Sequence, residues 1–406
     1  MARPAPDRPG AVTEGSVPDR DPAMTAPPLS DAEALARLRL ARTEGIGPLT
    51  YQRLLERHGS AGAALAALPR LAARRGAPFA VPPMEAARRE IEVLQRLGGR
   101  LLFAGEPPYP PLLAMQEDAP PVLALLGDPA ALAPPAVALV GARNASAAGR
   151  RMAEDLAEAL AAAGLAVVSG LARGIDTAAH LGALRRGRTI ACIAGGPDLP
   201  YPPENAGLQA RIAAEGGAVL AEAPLGTAPL ARHFPRRNRI VAGLSLGILV
   251  VEAAPRSGSL ITARLGLEAG REIFAVPGSP LDPRCRGSND LIRQGAHLVE
   301  AAEDVLAHLP AAPRAAPLFV PRPERGGAAR PARAEAPADS PIPATPSAQV
   351  IELLGANPIA VDEVVRRCHL SPSAIQAILL DLELAGRVEL LPGNRVALLA
   401  GGQDGR

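Results

Sequence analysis

The sequence predicts an α/β protein built on a doubly wound, mostly parallel sheet, with a helical unit before the sheet and a winged helix after it. Between residues 136 and 310, continuous apolar runs typical of buried parallel strands alternate with amphipathic helical segments. The strand-like runs are AVALVG, LAVVSG, TIACIAGG, AVLAEAP, LGILVVEA, EIFAVPG and AHLVE. At 406 residues the chain has enough material for several domains.

The chain before the sheet divides into three parts. Residues 1–29 are rich in proline and mixed charge and lack the apolar core of a signal peptide, so we expect a disordered tail, in which Met24 is an alternative start. Residues 30–100 predict a helical unit of the SAM or helix-hairpin-helix kind. Ser30 precedes Glu33 at capping distance, and Gly45-Ile46-Gly47-Pro48 forms a turn between two helices. Such a turn either contacts a DNA backbone or only packs, and we favour packing.

Residues 101–135 alternate prolines with short apolar runs, which indicates a connector with one or two short strands that pack on the next domain. Residues 311–346 are rich in proline and alanine and poor in core-forming side chains, which is typical of a linker.

Residues 347–398 predict a winged helix of three helical segments and two short strands joined at Pro392-Gly393-Asn394. Its third helix begins at Ser371 or Ser373 and carries Asp381 and Glu383, with no arginine before Arg387. A helix that reads DNA needs cations, so this helix favours protein docking over readout of the major groove.

Composition excludes several kinds of chemistry. All 43 basic residues are arginine, so neither a P-loop with its lysine nor a Schiff-base lysine is possible. The three cysteines, Cys192, Cys285 and Cys368, lie far apart, which argues against a zinc knuckle or a disulfide framework and fits a reducing cytoplasm. No apolar run reaches the length of a membrane span. We therefore expect a cytoplasmic protein without metal or cofactor, in which arginines, backbone N–H groups and hydroxyls bind any phosphate.

The loops that follow the predicted strands are rich in glycine, hydroxyls and arginine. In doubly wound sheets ligands bind at these loops, where helices begin. The first loop has no G-x-G-x-x-G fingerprint. The candidate phosphate-binding residues in these loops are Gly141, Arg143, Ser146, Ser169, Gly170, Arg173, Gly174, Ser257, Gly258, Ser259, Thr262 and Asn289. The arginine-rich run FPRRNRI at 234–240 is interpreted as a further loop of this kind, so that together they form an anion-binding edge longer than one nucleotide.

Two titratable residues near this edge receive structural interpretations. Asp176 stands at the beginning of a predicted helix and is expected to cap it rather than to act in catalysis. His180, one turn later, is expected to be a core histidine rather than an acid–base group.

Six segments, taken in order, resemble the DNA-processing protein A family (DprA, also called Smf) over about residues 100–310. They are VGARNAS, SGLARGIDTAAHLGAL, YPPEN, FPRRNRIVAGLS, VVEAAPRSGSLITARLGLEAGREIFAVPG and GSNDLIRQGA. The resemblance implies an extended Rossmann-like domain at 101–310 that binds single-stranded DNA and forms a homodimer. It also implies that the protein loads the RecA recombinase onto strands taken up in natural transformation, without catalysis of its own.

The resemblance also implies a site. It assigns phosphate contacts to Phe234, Arg237, Asn238 and Arg239, and it includes Gly141, Arg143 and Ser146 in a second motif. Ala142 replaces the usual serine or threonine of that motif, and Gly196-Pro197 departs from the family's G-T-G-x-x-x-x-Y-P loop. With no Trp, three Tyr and five Phe, the chain predicts phosphate-dominated, salt-sensitive binding, with Phe234 as the best stacking platform.

Two other functions remain open at this point. A phosphoribohydrolase of the lysine-decarboxylase-like group would share the fold, but it needs a P-G-G-x-G-T-x-x-E loop, and AGGPDLPYPPEN does not supply one. A pure interaction adaptor working through the winged helix would not need the arginine-rich loops.

Overall fold

The computed structural model describes residues 29–75, 78–310, 358–368, 370–391 and 393–399, together with the single residues 347, 350, 351 and 354. Residues 1–28 of the predicted tail, including Met24, the whole predicted linker at 311–346 and most of the first helix of the predicted winged helix lie outside the described residues. No helix within the described ranges is both long and apolar enough to cross a membrane.

The first part of the described chain is the predicted helical unit. Its helices are α1 (Asp31–Ala41), α2 (Pro48–His58), α3 (Ala61–Arg75) and α4 (Met84–Arg96). The Ser30 hydroxyl accepts a hydrogen bond from the Glu33 N–H at 3.3 Å. The Glu33 carboxylate accepts from the Ala61 N–H at 2.6 Å, which ties the beginning of α3 to α1. Gly45 adopts a φ of 82°, a left-handed conformation that favours glycine, and so the chain turns sharply between α1 and α2.

A nine-stranded sheet forms the centre of the molecule. Its strands are β1 (Gly99–Phe103), β2 (Val122–Gly127), β3 (Ala136–Gly141), β4 (Ala166–Ser169), β5 (Thr189–Ile193), β6 (Ala218–Ala221), β7 (Gly247–Val251), β8 (Glu272–Ala275) and β9 (His297–Leu298). The spatial order is β1-β2-β6-β5-β4-β3-β7-β8-β9, and the strands from β3 to β9 pair in parallel. All seven predicted runs form strands. The two short strands near the predicted connector are present, and they extend the edge of this sheet: β1 pairs antiparallel with β2, and β2 pairs antiparallel with β6.

Helices cover both faces of the sheet. They are α5 (Pro111–Ala114), α6 (Ala147–Ala162), α7 (Ile175–Leu184), α8 (Ala206–Ala214), α9 (His233–Leu244), α10 (Gly258–Glu268), α11 (Arg286–Arg293) and α12 (Ala302–Leu306). Alternate residues of β3 show the two layers: Val137 and Leu139 pack with α6 and α7, whereas Ala138 and Val140 pack with α9 and α10. Because β4 and β7 flank β3 on opposite sides, the chain order reverses there, and a crevice opens at the carboxyl ends of these strands.

The last part of the chain contains the described elements of the winged helix. They are β10 (Ile359–Ala360), α13 (Val361–Cys368), α14 (Pro372–Leu384), β11 (Val388–Leu391) and β12 (Arg395–Leu398), with the strands in the order β10-β12-β11. Ser371 is the residue that caps α14, since its hydroxyl accepts from the Ala374 N–H at 3.2 Å. The two predicted strands are present, and β10 is an additional one.

Candidate nucleic-acid interface

A groove of about 640 Å³ opens at the point where the strand order of the sheet reverses. We call it the switch-point groove. Its walls are the loops after β3, β4 and β7 and the first turns of α9 and α10. The lining residues include Gly141, Arg143, Gly170, Phe234, Arg237, Asn238, Ser257, Gly258, Ser259, Thr262 and Arg284.

An aromatic and cationic cluster stands at the rim of the groove. The guanidinium carbon of Arg143 lies 5.1 Å from the centroid of the Phe234 ring, which is cation–π distance. The Tyr201 ring meets Phe234 edge-on, with 6.0 Å between centroids, and remains 46% exposed. A narrow slot beside the groove is lined by Arg143, Arg173, Leu199, Tyr201 and Phe234. The cluster therefore offers aromatic faces and positive charge at one place.

Two arginines at this rim are exposed to solvent, Arg143 and Arg173, whereas Arg236, also exposed, lines neither the groove nor the slot. Across the residues that the structure describes, no carboxylate lies within ion-pair distance of Arg143 or Arg236. Arg173 faces Glu204 at 3.7 Å, and the two side chains are 65% and 60% exposed, so their attraction is weak. These guanidinium groups are the ones available to phosphates.

Arg237 has a different environment, because its side chain is buried beneath Phe234. It donates hydrogen bonds to the carbonyl oxygens of Gly170 and Cys192 and, at 3.1 Å, to Oδ1 of Asn238. A Cβ on Gly170 would overlap this guanidinium, which is why the chain needs glycine there. Arg237 therefore holds the ends of two strands together as part of the framework of the groove.

The buried carboxylate of Asp176 lies beside this framework. It accepts hydrogen bonds from the N–H groups of Gly170 at 3.1 Å and Ala172 at 3.2 Å. Burial raises the pKa of Asp176 and lowers that of Arg237, while the attraction between the two charges opposes both shifts. Asp176 is structural, as predicted, but it organises the loop after β4 rather than capping α7.

His180 occupies the core position that the sequence predicts. Its Nδ1 lies 2.7 Å from the Thr189 hydroxyl, and burial lowers its pKa to about 3. The imidazole is therefore neutral at physiological pH and far from an acid–base role.

Arg239 faces away from the switch-point groove. It pairs with Glu222 at 2.6 Å and with Asp118 at 3.6 Å in a second cavity of about 870 Å³ on the other side of α9. The difference from the sequence interpretation has a clear cause: FPRRNRI forms the first turns of a helix rather than a loop. Residues two apart on a helix point in nearly opposite directions, and so the Arg239 guanidinium turns toward its two carboxylate partners while that of Arg237 turns toward the ends of β4 and β5.

Ser146 also lies outside the groove. Its N–H donates to Oε2 of Glu252 at 2.9 Å, its hydroxyl donates to Oε1 of the same carboxylate, and its oxygen accepts from the Gly149 N–H at 2.9 Å. Glu252 is only 8% exposed. The beginning of α6, which the sequence predicts as a phosphate cradle, is thus already occupied by a carboxylate from the end of β7.

Three other predicted residues have internal roles in the structure. The Ser169 hydroxyl donates to the Leu139 carbonyl at 2.6 Å, and Gly174 packs on the backbone of the loop after β3. The Asn289 side chain exchanges two hydrogen bonds with the backbone of Gly278, at 3.0 and 2.8 Å. These residues shape the neighbouring loops without lining the groove.

The groove and its slot therefore bring together eleven predicted residues: Gly141, Arg143, Gly170, Arg173, Phe234, Arg237, Asn238, Ser257, Gly258, Ser259 and Thr262. Their contact with DNA stays a prediction. The sequence interpretation did not include Tyr201 or Arg284. Tyr201 belongs to the loop that departs from the family motif, whereas Arg284 carries no signal in the sequence, since it reaches the groove from a separate loop.

Family models match almost all of the described chain. The model for DNA recombination-mediator protein A matches residues 100–310, that for the DprA-like N-terminal HHH domain matches 31–93, and that for the DprA winged helix domain matches 334–394. The chain belongs to the DprA/Smf family. The predicted resemblance is thereby confirmed.

Individual members of the DprA/Smf family show the same similarity. Protein Smf of Escherichia coli K12 is 38% identical over 336 residues, which cover 81% of this chain and 85% of that protein. The DNA processing protein DprA of Streptococcus pneumoniae R6 is 48% identical over 200 residues, or 49% of this chain and 70% of that protein. The X-ray structure of DprA from Streptococcus pneumoniae superposes with a TM-score of 0.57 at 34% identity, covering 68% of this chain and 96% of that one.

Proposed function

We propose that this protein binds single-stranded DNA in the switch-point groove and loads the RecA recombinase onto it during natural transformation. It acts as a homodimer in the cytoplasm and has no catalytic activity. The observation that carries the proposal is the cluster of exposed Arg143 and Arg173 around the Phe234 ring at the mouth of the groove. The DprA/Smf family and the names of its members, DNA processing protein and recombination-mediator protein, support it.

The geometry favours a single strand over a duplex. Sequence-independent binding of single strands combines a cationic path for phosphates with aromatic faces on which unpaired bases stack. Phe234 and the exposed Tyr201 lie 6.0 Å apart, next to the exposed guanidinium of Arg143. Only a base that has left its stack can reach such a cluster.

Binding to single-stranded DNA is tested by fluorescence anisotropy with single- and double-stranded oligonucleotides at several salt concentrations. Wild type is compared with Arg143→Ala, Phe234→Ala and, as a matched control, Arg211→Ala, which removes a half-exposed arginine that pairs with Glu215 on α8. We expect a preference for the single strand that both groove variants lose. Each lost phosphate contact lowers the slope of log affinity against log salt by about 0.7. Binding that survives in both groove variants would contradict this site.

Loading of RecA is tested separately, by the lag before RecA hydrolyses ATP on a strand covered with single-strand-binding protein. We expect wild type to shorten the lag and Arg143→Ala to leave it unchanged. Release of a free base from a nucleoside monophosphate by the purified protein would instead favour the phosphoribohydrolase function.

A further inference from the structure

The third helix of the winged helix, α14, has two apolar faces that belong to different cores. Ile375, Leu379 and Leu382 pack inside the winged helix itself. Leu380 and Leu384 are only 2% and 3% exposed, yet they pack with the helical unit at the other end of the chain. Their neighbours in that cluster are Leu40, Ile46, Tyr51, Leu54, Ala61, Ala64, Leu68 and Leu71. The second face of α14 is thus covered by α2 and α3.

Polar contacts surround this apolar contact. Arg57 of α2 pairs with Asp381 at 2.9 Å. The Thr50 hydroxyl donates to Oε2 of Glu383 at 2.9 Å, and the Arg53 guanidinium lies 3.9 Å from the same oxygen. The two acids that make α14 unsuited to DNA therefore meet hydrogen-bond donors and cations of the helical unit.

A second contact fixes the orientation of the winged helix. The Gly393 N–H, at the turn between β11 and β12, donates to the Glu117 carboxylate at 2.8 Å. Glu117 lies between α5 and β2, on the sheet domain. The winged helix therefore touches the helical unit through α14 and the sheet domain through its wing.

We propose that α14 is a protein-docking helix whose partner is the helical unit of the same chain, residues 31–75, and that duplex DNA is not its ligand. A winged helix that reads DNA inserts this helix into the major groove and needs cations on it. Here the second face of the helix carries two leucines and two acids, and all four contact the helical unit. The predicted linker at 311–346 joins the sheet domain to the winged helix and can span at most roughly 120 Å, which is ample for docking within one chain.

Docking is tested in the full chain by hydrogen exchange. Leu384→Asp places a charge in the contact and leaves the winged-helix core intact, because Leu384 is not part of that core. Gln376→Asp, at an exposed position of the same helix, is the matched control. We expect Leu384→Asp to raise exchange at least tenfold in α2, α3 and α14 while β11 and β12 keep their protection, and the control to change nothing. Equal exchange in both variants would overturn the docking.

Swapping the charges of the Arg57–Asp381 pair provides a second test, because a folding defect would not be repaired by combining the two variants. Arg57→Asp and Asp381→Arg should each raise exchange in α2 and α14, and the double variant should restore protection. A double variant no better than either single one would overturn the pairing.

Two further measurements test the partner. Protection that is constant over a hundredfold range of protein concentration supports docking within one chain, and protection that grows with concentration would overturn it. Leu384→Asp and its control should bind duplex oligonucleotides equally weakly. A gain in duplex affinity on undocking would show that α14 is a covered DNA-reading helix, contrary to the proposal. The affinity for single-stranded DNA should stay unchanged, so this test is independent of the switch-point groove.

Discussion

Replacing Arg237 with methionine separates a framework role for this arginine from a role in contacting DNA. The guanidinium donates to the carbonyls of Gly170 and Cys192 and to the Asn238 side chain, and it offsets the charge of buried Asp176. Methionine fills much of the same volume but provides no donor. Removing one partner from a buried charged network costs about 3–5 kcal/mol, because the other charge is left uncompensated. We expect Arg237→Met to lower the free energy of unfolding around β4 and β5 by that amount at neutral pH.

The pH dependence of this loss identifies its cause. Burial already raises the pKa of Asp176, and the variant raises it further because the opposing attraction of Arg237 is gone. A carboxyl group whose pKa is higher in the folded protein binds more protons there than in the unfolded chain. Stability therefore falls as pH rises from the unfolded pKa through the folded one. The stability deficit of the variant should thus be smaller in acid than at neutral or alkaline pH.

Hydrogen exchange of the β4 and β5 amides is the appropriate assay, because it reports the free energy of local opening in a chain of several domains. The double variant Asp176→Asn/Arg237→Met should recover about 0.5–3 kcal/mol of the opening free energy that Arg237→Met alone loses, which is the usual size of coupling between contacting residues. A deficit below about 1 kcal/mol that does not change with pH would refute this reasoning. If single-strand affinity were also lost in that case, Arg237 would be a DNA contact after all.

Three further outcomes are expected. Gly170→Ala should destabilise β4 by about 1–3 kcal/mol in the same exchange assay, because its Cβ displaces the Arg237 guanidinium. The free energy of unfolding of wild type should fall by about 2 kcal/mol between pH 7 and pH 5, because His180 has a pKa of about 3 in the folded protein and only the unfolded chain binds its proton there. Denaturant titration at both pH values should show a smaller fall in His180→Gln. Arg239→Ala should lower the melting temperature, because it leaves two carboxylates without their partner, and should leave the salt slope of strand binding unchanged. Arg143→Ala should instead lower the salt slope and leave the melting temperature unchanged. A changed salt slope in Arg239→Ala would place that arginine on the DNA.

The sheet was predictable from the sequence because its parallel strands are buried on both faces and read as continuous apolar runs. The antiparallel edge was not. The strand β2 pairs with β6, about 90 residues away, and carries β1 with it, and local pattern does not reveal pairing partners at that distance.

The candidate site was predictable in its composition but not in its orientation. Sequence reveals that Arg236, Arg237 and Arg239 cluster, whereas the direction of each depends on the helix that contains them. The run is exposed at Arg236, buried at Arg237 and ion-paired at Arg239. The partner of Ser146 was equally hidden, since Glu252 is 106 positions away along the chain.

The carboxylate at the beginning of α6 also has a consequence inside a cell. In many doubly wound sheets that helix start receives the phosphate of a free nucleotide. Here the Glu252 carboxylate accepts from the N–H and the hydroxyl of Ser146, the Ser146 hydroxyl oxygen accepts from the Gly149 N–H, and the negative charge of Glu252 repels a phosphate. Free nucleotides such as ATP should therefore not bind at the beginning of α6, beside the groove. On the proposed function, the fraction of the protein bound to DNA should therefore depend on the supply of single strands and should not change with the ATP concentration.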